Sequence, residues 1–205
     1  MQKPAPTDHP VTEILKNRWS PRAFSDQPVA NEILQSLFEA ARWAPSSSNE
    51  QPWAFIVAAN DDHETHGKLL STLVEANQIW AQHAPILGIA VAHLNWAKSG
   101  QPNRTAFYDT GAAVAGLTTE ATTRGLFVHQ MAGFDPKKAR ELFHIPSDWE
   151  PVAAFVVGYP GEPESLPEPY LSREKNMRTR KPLGEFVMSG DWGKPAGFLK
   201  SYGRR

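Results

Sequence analysis

The sequence predicts an α+β fold, a central sheet flanked by helices, on three observations. Strand-like and helix-like segments alternate between residues 53 and 159, two helices open the chain before the first strand, and residues 160–205 form a tail outside any strand–helix–strand repetition. At 205 residues, the chain has the length of one domain or of one subunit of an intertwined oligomer, long enough to bury a real core.

Val11, Ile14 and Leu15 recur at helical spacing over residues 10–17, with Pro10 in a first turn whose N–H groups lack partners anyway. Ile33, Leu34, Leu37, Phe38 and Ala41 carry a second helix through Ala44, where Pro45 stops it by pushing the preceding residue out of the helical region. A loop over residues 46–51 follows. Residues 53–59 (WAFIVAA) are short, apolar and bounded by polar residues, as in a buried strand. Leu69, Leu70, Leu73 and Val74 predict one helix running toward Trp80, and residues 85–93 (PILGIAVAH) a second strand. Residues 105–124, rich in alanine and threonine with two glycines, predict a helix that lets neighbours approach closely, with Gly125 as its cap. A strand at 126–129, a helix at 135–143 opened by Asp135-Pro136, and a strand at 152–159 complete the series.

The composition then changes. Residues 160–205 hold six of the 18 prolines and six of the 14 glycines, with little apolar periodicity. So long a segment is either disordered or wrapped on something else, most simply a second subunit. Glu185 to Met188 (EFVM) is a candidate strand for a sheet edge.

Several function classes drop out. Twenty-one Lys+Arg against 22 Asp+Glu give a net charge of -1, so no global field draws the protein to nucleic acid or anionic lipid, and any anion must be held locally. With no cysteine there are no disulfides, thiol nucleophiles or thiolate-bound metals, which suits a reducing cytoplasm, the expected location. The longest apolar stretch, residues 84–92, falls short of the roughly 20 residues of a membrane span. Residues 1–10 contain no apolar block and are not expected to act as a secretory signal. G-x-S-x-G, Walker and G-x-G-x-x-G patterns do not occur. His63 and His66 form an H-x-x-H without a third ligand nearby and are expected on the exposed face of a helix, with no metal.

Three separated pieces carry chemistry. In Arg18-Trp19-Ser20-Pro21-Arg22-Ala23-Phe24, extended geometry would turn Arg18, Ser20 and Arg22 to one side, a phosphate clamp of two guanidinium groups and a hydroxyl; the plainer alternative is a solvated loop. In APSSSNEQPW, residues 44–53, serine backbone N–H groups and the amides of Asn49 and Gln51 suit the edge of a planar heterocycle, although loop serines commonly serve only as turn formers. In REKNMRTRK, residues 173–181, five of nine residues are basic and Arg178 and Arg180 repeat the alternating spacing; taken alone, it reads as a wet tail.

Together with HQMAGFD at residues 129–135 and RTRKPLGEFV late in the chain, these pieces resemble the nitroreductase family of FMN-dependent oxidoreductases over nearly the whole length and in the right order. The resemblance implies a mostly antiparallel central sheet and a homodimer, one domain over residues 1–205, with residues 160–205 as an arm embracing the partner. It implies FMN contacts from Arg18 and Arg22 around the phosphate and ring, from Ser20 at the ribityl or phosphate region and from Trp19 beside them, with Arg178 and Arg180 closing on the phosphate. Pro45, Ser46, Ser47, Ser48, Asn49 and Gln51 would lie beside the flavin across the dimer interface. Gln130, Met131, Ala132 and Gly133 would approach the ring near its redox-active nitrogen. Two features depart from the pattern: Ala132 stands where many members carry an acid, and residues 94–104 are short where relatives insert substrate-covering helices.

The activity so implied is electron transfer from NAD(P)H through FMN to a nitroaromatic, quinone or related small acceptor by ping-pong turnover, with the flavin carrying the chemistry and no catalytic side chain required. Trp80 and Trp96 are candidates for the substrate side of the pocket, Phe107 is expected in the core, and Asp109 is expected to hold a hydrogen bond at the head of its helix. Alternative readings are a flavin-storage module with little turnover, a relative with other flavin chemistry such as dehalogenation or desaturation, and an interaction protein whose basic tail grips another anion.

Overall fold

The structure is a computed structural model that describes residues 1–199. Strands β1 (Trp53–Ala59), β2 (Ile86–His93), β3 (Phe127–Met131) and β4 (Trp149–Gly158) form one sheet in the order β1-β2-β4-β3. Every neighbouring pair is antiparallel, as the resemblance implies. Helices α1 (Glu13–Asn17), α2 (Asn31–Arg42), α3 (His63–Thr72), α4 (Glu75–Ala81), α5 (Ala106–Thr123), α6 (Pro136–Phe143) and α7 (Tyr170–Lys175) surround it. Among the described residues, no helix is long and apolar enough to cross a membrane.

The two-residue period of the strands explains the layering. Leu87, Ile89 and Val91 of β2 and Ala154 and Val156 of β4 face a core with Leu69, Leu73, Trp80 and Ala139, from the side of α3, α4 and α6. Ile86 and Ala90 of β2 and Phe155 and Val157 of β4 face the opposite core, with Leu37 and Ala41 of α2 and Ala113, Val114, Leu117 and Ala121 of α5. Gly88 stands opposite Phe155 in the β2–β4 register, and a Cβ on Gly88 would enter the space of the Phe155 ring. The small residues of α5 act as expected: a Cβ on Gly116 would lie 2.8 Å from the carbonyl oxygen of Ala40 on α2. At the end of α5, Gly125 takes φ +73°, the Gly125 N–H donates to Thr122 O and the Leu126 N–H to Ala121 O, the paired bonds of a left-handed helix cap.

Several expectations are corrected. The first helix begins only at Glu13, with Thr12 still extended (ψ 147°). The single helix expected to run toward Trp80 is two, because Leu73 is extended and bridges Phe134 while the Val74 N–H donates to Gly133 O. That pairing with the loop after β3 outweighs the local helical rhythm. Strand β4 starts at Trp149, earlier than expected, since Trp149, Glu150 and Pro151 find partners on β2 across a bulge at Ala90/Val91. Glu185–Met188 does not extend the sheet. Leu183–Glu185 is a 3₁₀ turn, and Met188 bridges only Pro195, inside the tail itself. The tail also divides: Leu166 and Tyr170 join the core, whereas Met177, Phe186, Trp192 and Phe198 are exposed, Trp192 at 93%.

Substituting Gly88→Ala is expected to destabilise the fold by about 1–3 kcal/mol through overpacking. In urea denaturation, combining it with Phe155→Leu should cost less than the sum of the two single changes, because the smaller side chain vacates the space the new methyl needs.

Candidate functional site

The segment 18–24 is extended because it is held along its length. Phe24 bridges Pro160, the Ser25 N–H donates to Tyr159 O at 3.0 Å, and the Gly161 N–H donates to Ala23 O at 2.9 Å. The Trp19 ring meets the Phe127 ring edge-on at 6.0 Å. His129 on β3 lies 2.7 Å through Nδ1 from Pro21 O; a carbonyl can only accept, so Nδ1 carries the proton. Burial pushes the pKa of His129 down to about 4, against the pull of the Pro21 bond and with the help of the Arg22 and Arg18 charges. The imidazole is thus a neutral strut between strand and segment, stacked at 4.5 Å on Trp80.

The tail supplies the other wall. Glu174 on α7 is 1% exposed, and its carboxylate accepts the Arg22 N–H (2.9 and 3.1 Å to its two oxygens) and the Ala23 N–H (3.2 Å). Arg178 Nη1 donates to Lys3 O at 2.8 Å and Lys16 O at 2.9 Å, tying the tail to the N-terminal arm and to α1. Arg18 Nη1 lies 3.4 Å from Ser20 Oγ, and Arg22 lies 5.9 Å from the Trp80 ring centroid.

These contacts enclose an open pocket of about 280 Å³ whose lining includes Lys3, Arg18, Trp19, Ser20, Arg22, Arg178 and Arg180. The alternation expected of Arg18, Ser20 and Arg22 is realised, and residues 160 positions apart in sequence meet on one surface. Burial first, then the neighbouring Arg178 and Arg180, pull the Arg18 pKa below its ordinary value; burial and Arg180 do the same to Arg178. Crowded cations that depress one another mark a site short of negative charge. Trp19 adds a buried indole N–H without a hydrogen-bond partner among the described residues.

The other expected pieces lie elsewhere. Pro45, Ser46, Ser47, Ser48, Asn49 and Gln51 do not line the arginine pocket of their own chain; Ser47–Asn49 is a 3₁₀ turn beside the start of α5. Asp109 is buried and holds hydrogen bonds at the head of α5 as expected, accepting the Ser47 N–H at 3.1 Å and the Thr105 hydroxyl at 3.0 Å. Ser48, Asn49 and Gln51 all take positive φ, and the Gln51 N–H donates to Ser46 Oγ. Gln130 and Ala132 are exposed at the end of β3, while the Met131 side chain is buried in the core. Gly133 O accepts from the Val74 N–H and from Asn77 Nδ2, and a Cβ there would lie 2.6 Å from that amide nitrogen.

The aromatic assignments change. Trp80, 1% exposed, stacks on Phe24 and His129 and belongs to the core, because α4 turns it inward against the segment 18–24. Trp96 is half-buried in the turn closed by the Asn95–Pro102 bridge. Phe107 is exposed rather than in the core, beside an exposed Tyr108, and His66 is buried within reach of Ala84 O rather than exposed. Glu174, Lys3 and the strut role of His129 were missed from sequence; a lone acid inside a run of five bases was the available signal for Glu174.

The model of the nitroreductase family matches residues 15–159. The chain resembles the crystal structure of an oxidoreductase containing FMN, with a TM-score of 0.87 and 31% identity, over 92% of this chain and 96% of that one. An FMN reductase [NAD(P)H] of Bacillus subtilis is 28% identical over 181 residues, 80% of this chain and 71% of its own length. A putative NADH dehydrogenase/NAD(P)H nitroreductase of Streptomyces coelicolor is 27% identical over 172 residues, 74% of this chain and 84% of its own.

With a folded pKa near 4 and an unfolded value near 6.5, His129 leaves stability intact above pH 6.5 and erodes it as the pH falls toward 4, by about 2–3 kcal/mol, because only the unfolded chain takes up the proton. His129→Gln keeps a donor for Pro21 O but does not titrate. Melting curves across that window should show a shallower acid loss for the variant than for the parent protein.

Proposed function

The chain belongs to the nitroreductase family, and on that premise we propose that this oxidoreductase binds FMN and passes electrons from NAD(P)H to a nitroaromatic, quinone or related small acceptor. The observation that carries the reading is the convergence of Arg18, Ser20, Arg22, Arg178 and Arg180 on one pocket, with none of these arginines in a salt bridge among the described residues. The donor set fits the group: guanidinium forks match phosphate oxygens, a hydroxyl and an unpartnered indole N–H stand beside them, and the acceptor-only Glu174 carboxylate faces backbone N–H groups instead of the pocket cations. FMN bound there would supply the redox chemistry, taking a hydride from NAD(P)H and giving electrons to the acceptor in a second half-reaction.

The protein's own contribution is position and charge. Arg18, Arg22, Arg178 and Arg180 would hold the phosphate and Ser20 the adjoining chain, while Gln130 and Ala132, exposed at the end of β3, would face the ring. A guanidinium beside the ring would stabilise negative charge on it. The loop from Pro45 to Gln51 is rigidly folded yet outside its own chain's arginine pocket, which supports a homodimer in which a second copy brings that loop to the flavin. Exposed Ile14, Leu15, Phe107, Phe186 and Trp192 offer apolar surface for such a partner, with the tail beyond Met177 as the embracing arm of a one-domain subunit. NAD(P)H and acceptor would then use one open face in turn.

Protein supplemented with FMN and desalted is expected to keep flavin absorption bands, to bleach them with anaerobic NADPH or NADH, and to give parallel double-reciprocal plots with a quinone acceptor. Absence of retained flavin overturns the proposal, and bands that resist both nicotinamides overturn its reductase part. Arg22→Ala keeps the backbone N–H that Glu174 needs, so the fold should survive while FMN affinity falls by about 1.5–3 kcal/mol in a fluorescence titration. Unchanged affinity would remove Arg22 from the phosphate clamp.

A further inference from the structure

We propose that Lys3, on an N-terminal arm outside the residues that match the family model, is an additional phosphate-binding residue that makes the site select a phosphorylated flavin over riboflavin. The inference rests on the FMN reading above and adds a ligand to it. Residues 3–5 are docked by three separate hydrogen bonds. Arg178 Nη1 donates to Lys3 O at 2.8 Å, Lys3 Nζ to Glu174 O at 2.5 Å, and the Ala5 N–H to Lys16 O at 2.8 Å. The Lys3 ammonium also lies 5.0 Å from the centroid of the Trp19 ring, at the wall of the pocket that holds Arg18, Ser20, Arg22, Arg178 and Arg180.

The Lys3 ammonium stands among charges of both signs. Burial lowers its pKa, Glu174 acts in the opposite sense, and Arg178 and Arg22 lower it further. A Lys ammonium has three donors, and here one is spent on Glu174 O. The remaining two have no partner among the described residues and stand at the wall of a pocket that also holds four guanidinium groups, of which Arg178 and Arg22 repel the ammonium. A phosphomonoester dianion relieves that repulsion, whereas the neutral ribityl hydroxyl of riboflavin does not. Since Arg178 anchors the arm and lines the pocket as well, filling the site and docking the arm are coupled. The lysine is a compact point charge and adds electrostatic attraction where the arginines add oriented forks.

Fluorescence titrations of the full-length protein with FMN and with riboflavin test this, at low and at moderate salt. Lys3→Met keeps an apolar stem over Trp19 and removes the charge together with the bond to Glu174 O. It is expected to weaken FMN about tenfold at low salt, to leave riboflavin unchanged, and to flatten the salt dependence of FMN binding. Lys3→Arg should restore most of the preference for FMN. If Lys3→Met binds FMN as the parent does, or loses both flavins equally, the assignment of Lys3 is overturned while the FMN reading stands. If the parent protein binds FMN no better than riboflavin, the phosphate-site reading itself falls and Lys3 with it.

Discussion

Glu174 is a buried carboxylate in a pocket walled by arginines, and its oxygens face backbone N–H groups. By accepting from Arg22 and Ala23 it satisfies two donors that an extended, partly buried segment would otherwise leave unpaired, at a cost of about 1–3 kcal/mol each. The same contact brings α7 against residues 18–24 and so carries Arg178 and Arg180 to Arg18 and Arg22. With the acid committed to the backbone, it forms no salt bridge to these arginines among the described residues. A salt bridge to the same arginines would have neutralised the site it builds.

The sheet makes that clasp possible from the other side. Strand β3 is an edge strand, and the segment 18–24 lies along it through Trp19 on Phe127 and Pro21 on His129. A histidine serves here because its neutral ring both donates one hydrogen bond and stacks on Trp80, with burial keeping a third positive charge away from two arginines. Close packing elsewhere gives the second piece of the site its place. Gly116 lets α5 approach α2, and Asp109 at the head of α5 then pins the loop that leaves α2. The loop's three positive-φ residues cost conformational energy that the Asp109 and Ser46 bonds offset.

The two halves therefore sit on opposite supports: the cations on edge strand β3 and the tail, the serine loop on the α2–α5 pair. Within one chain they line different surfaces, and the apolar side chains left exposed on α1, α5 and the tail suit a second copy that closes the distance. Residues 177–199, mostly exposed and carrying apolar side chains, fit the partner-embracing role proposed above.

Sequence alone determined whatever depends on local rules. Apolar runs bounded by polar residues located all four strands, Gly125 capped α5, Asp135 capped α6, and alternation in an extended segment put Arg18, Ser20 and Arg22 on one side, although α2 ends at Arg42, before the Ala44 that Pro45 marked. The order of RWSPRAF, SSSNEQ and RTRK along the chain also sufficed for the family. Only the tertiary structure decided the break at Leu73, the burial of Trp80, the exposure of Phe107 and the duties of Glu174, Lys3 and His129. All of these except the exposure of Phe107 turn on a partner tens of residues away. A helical rhythm in residues 69–80 carries no mark of the loop at Gly133, and an acid among bases looks solvated until two backbone N–H groups from residues 22 and 23 are seen to need it.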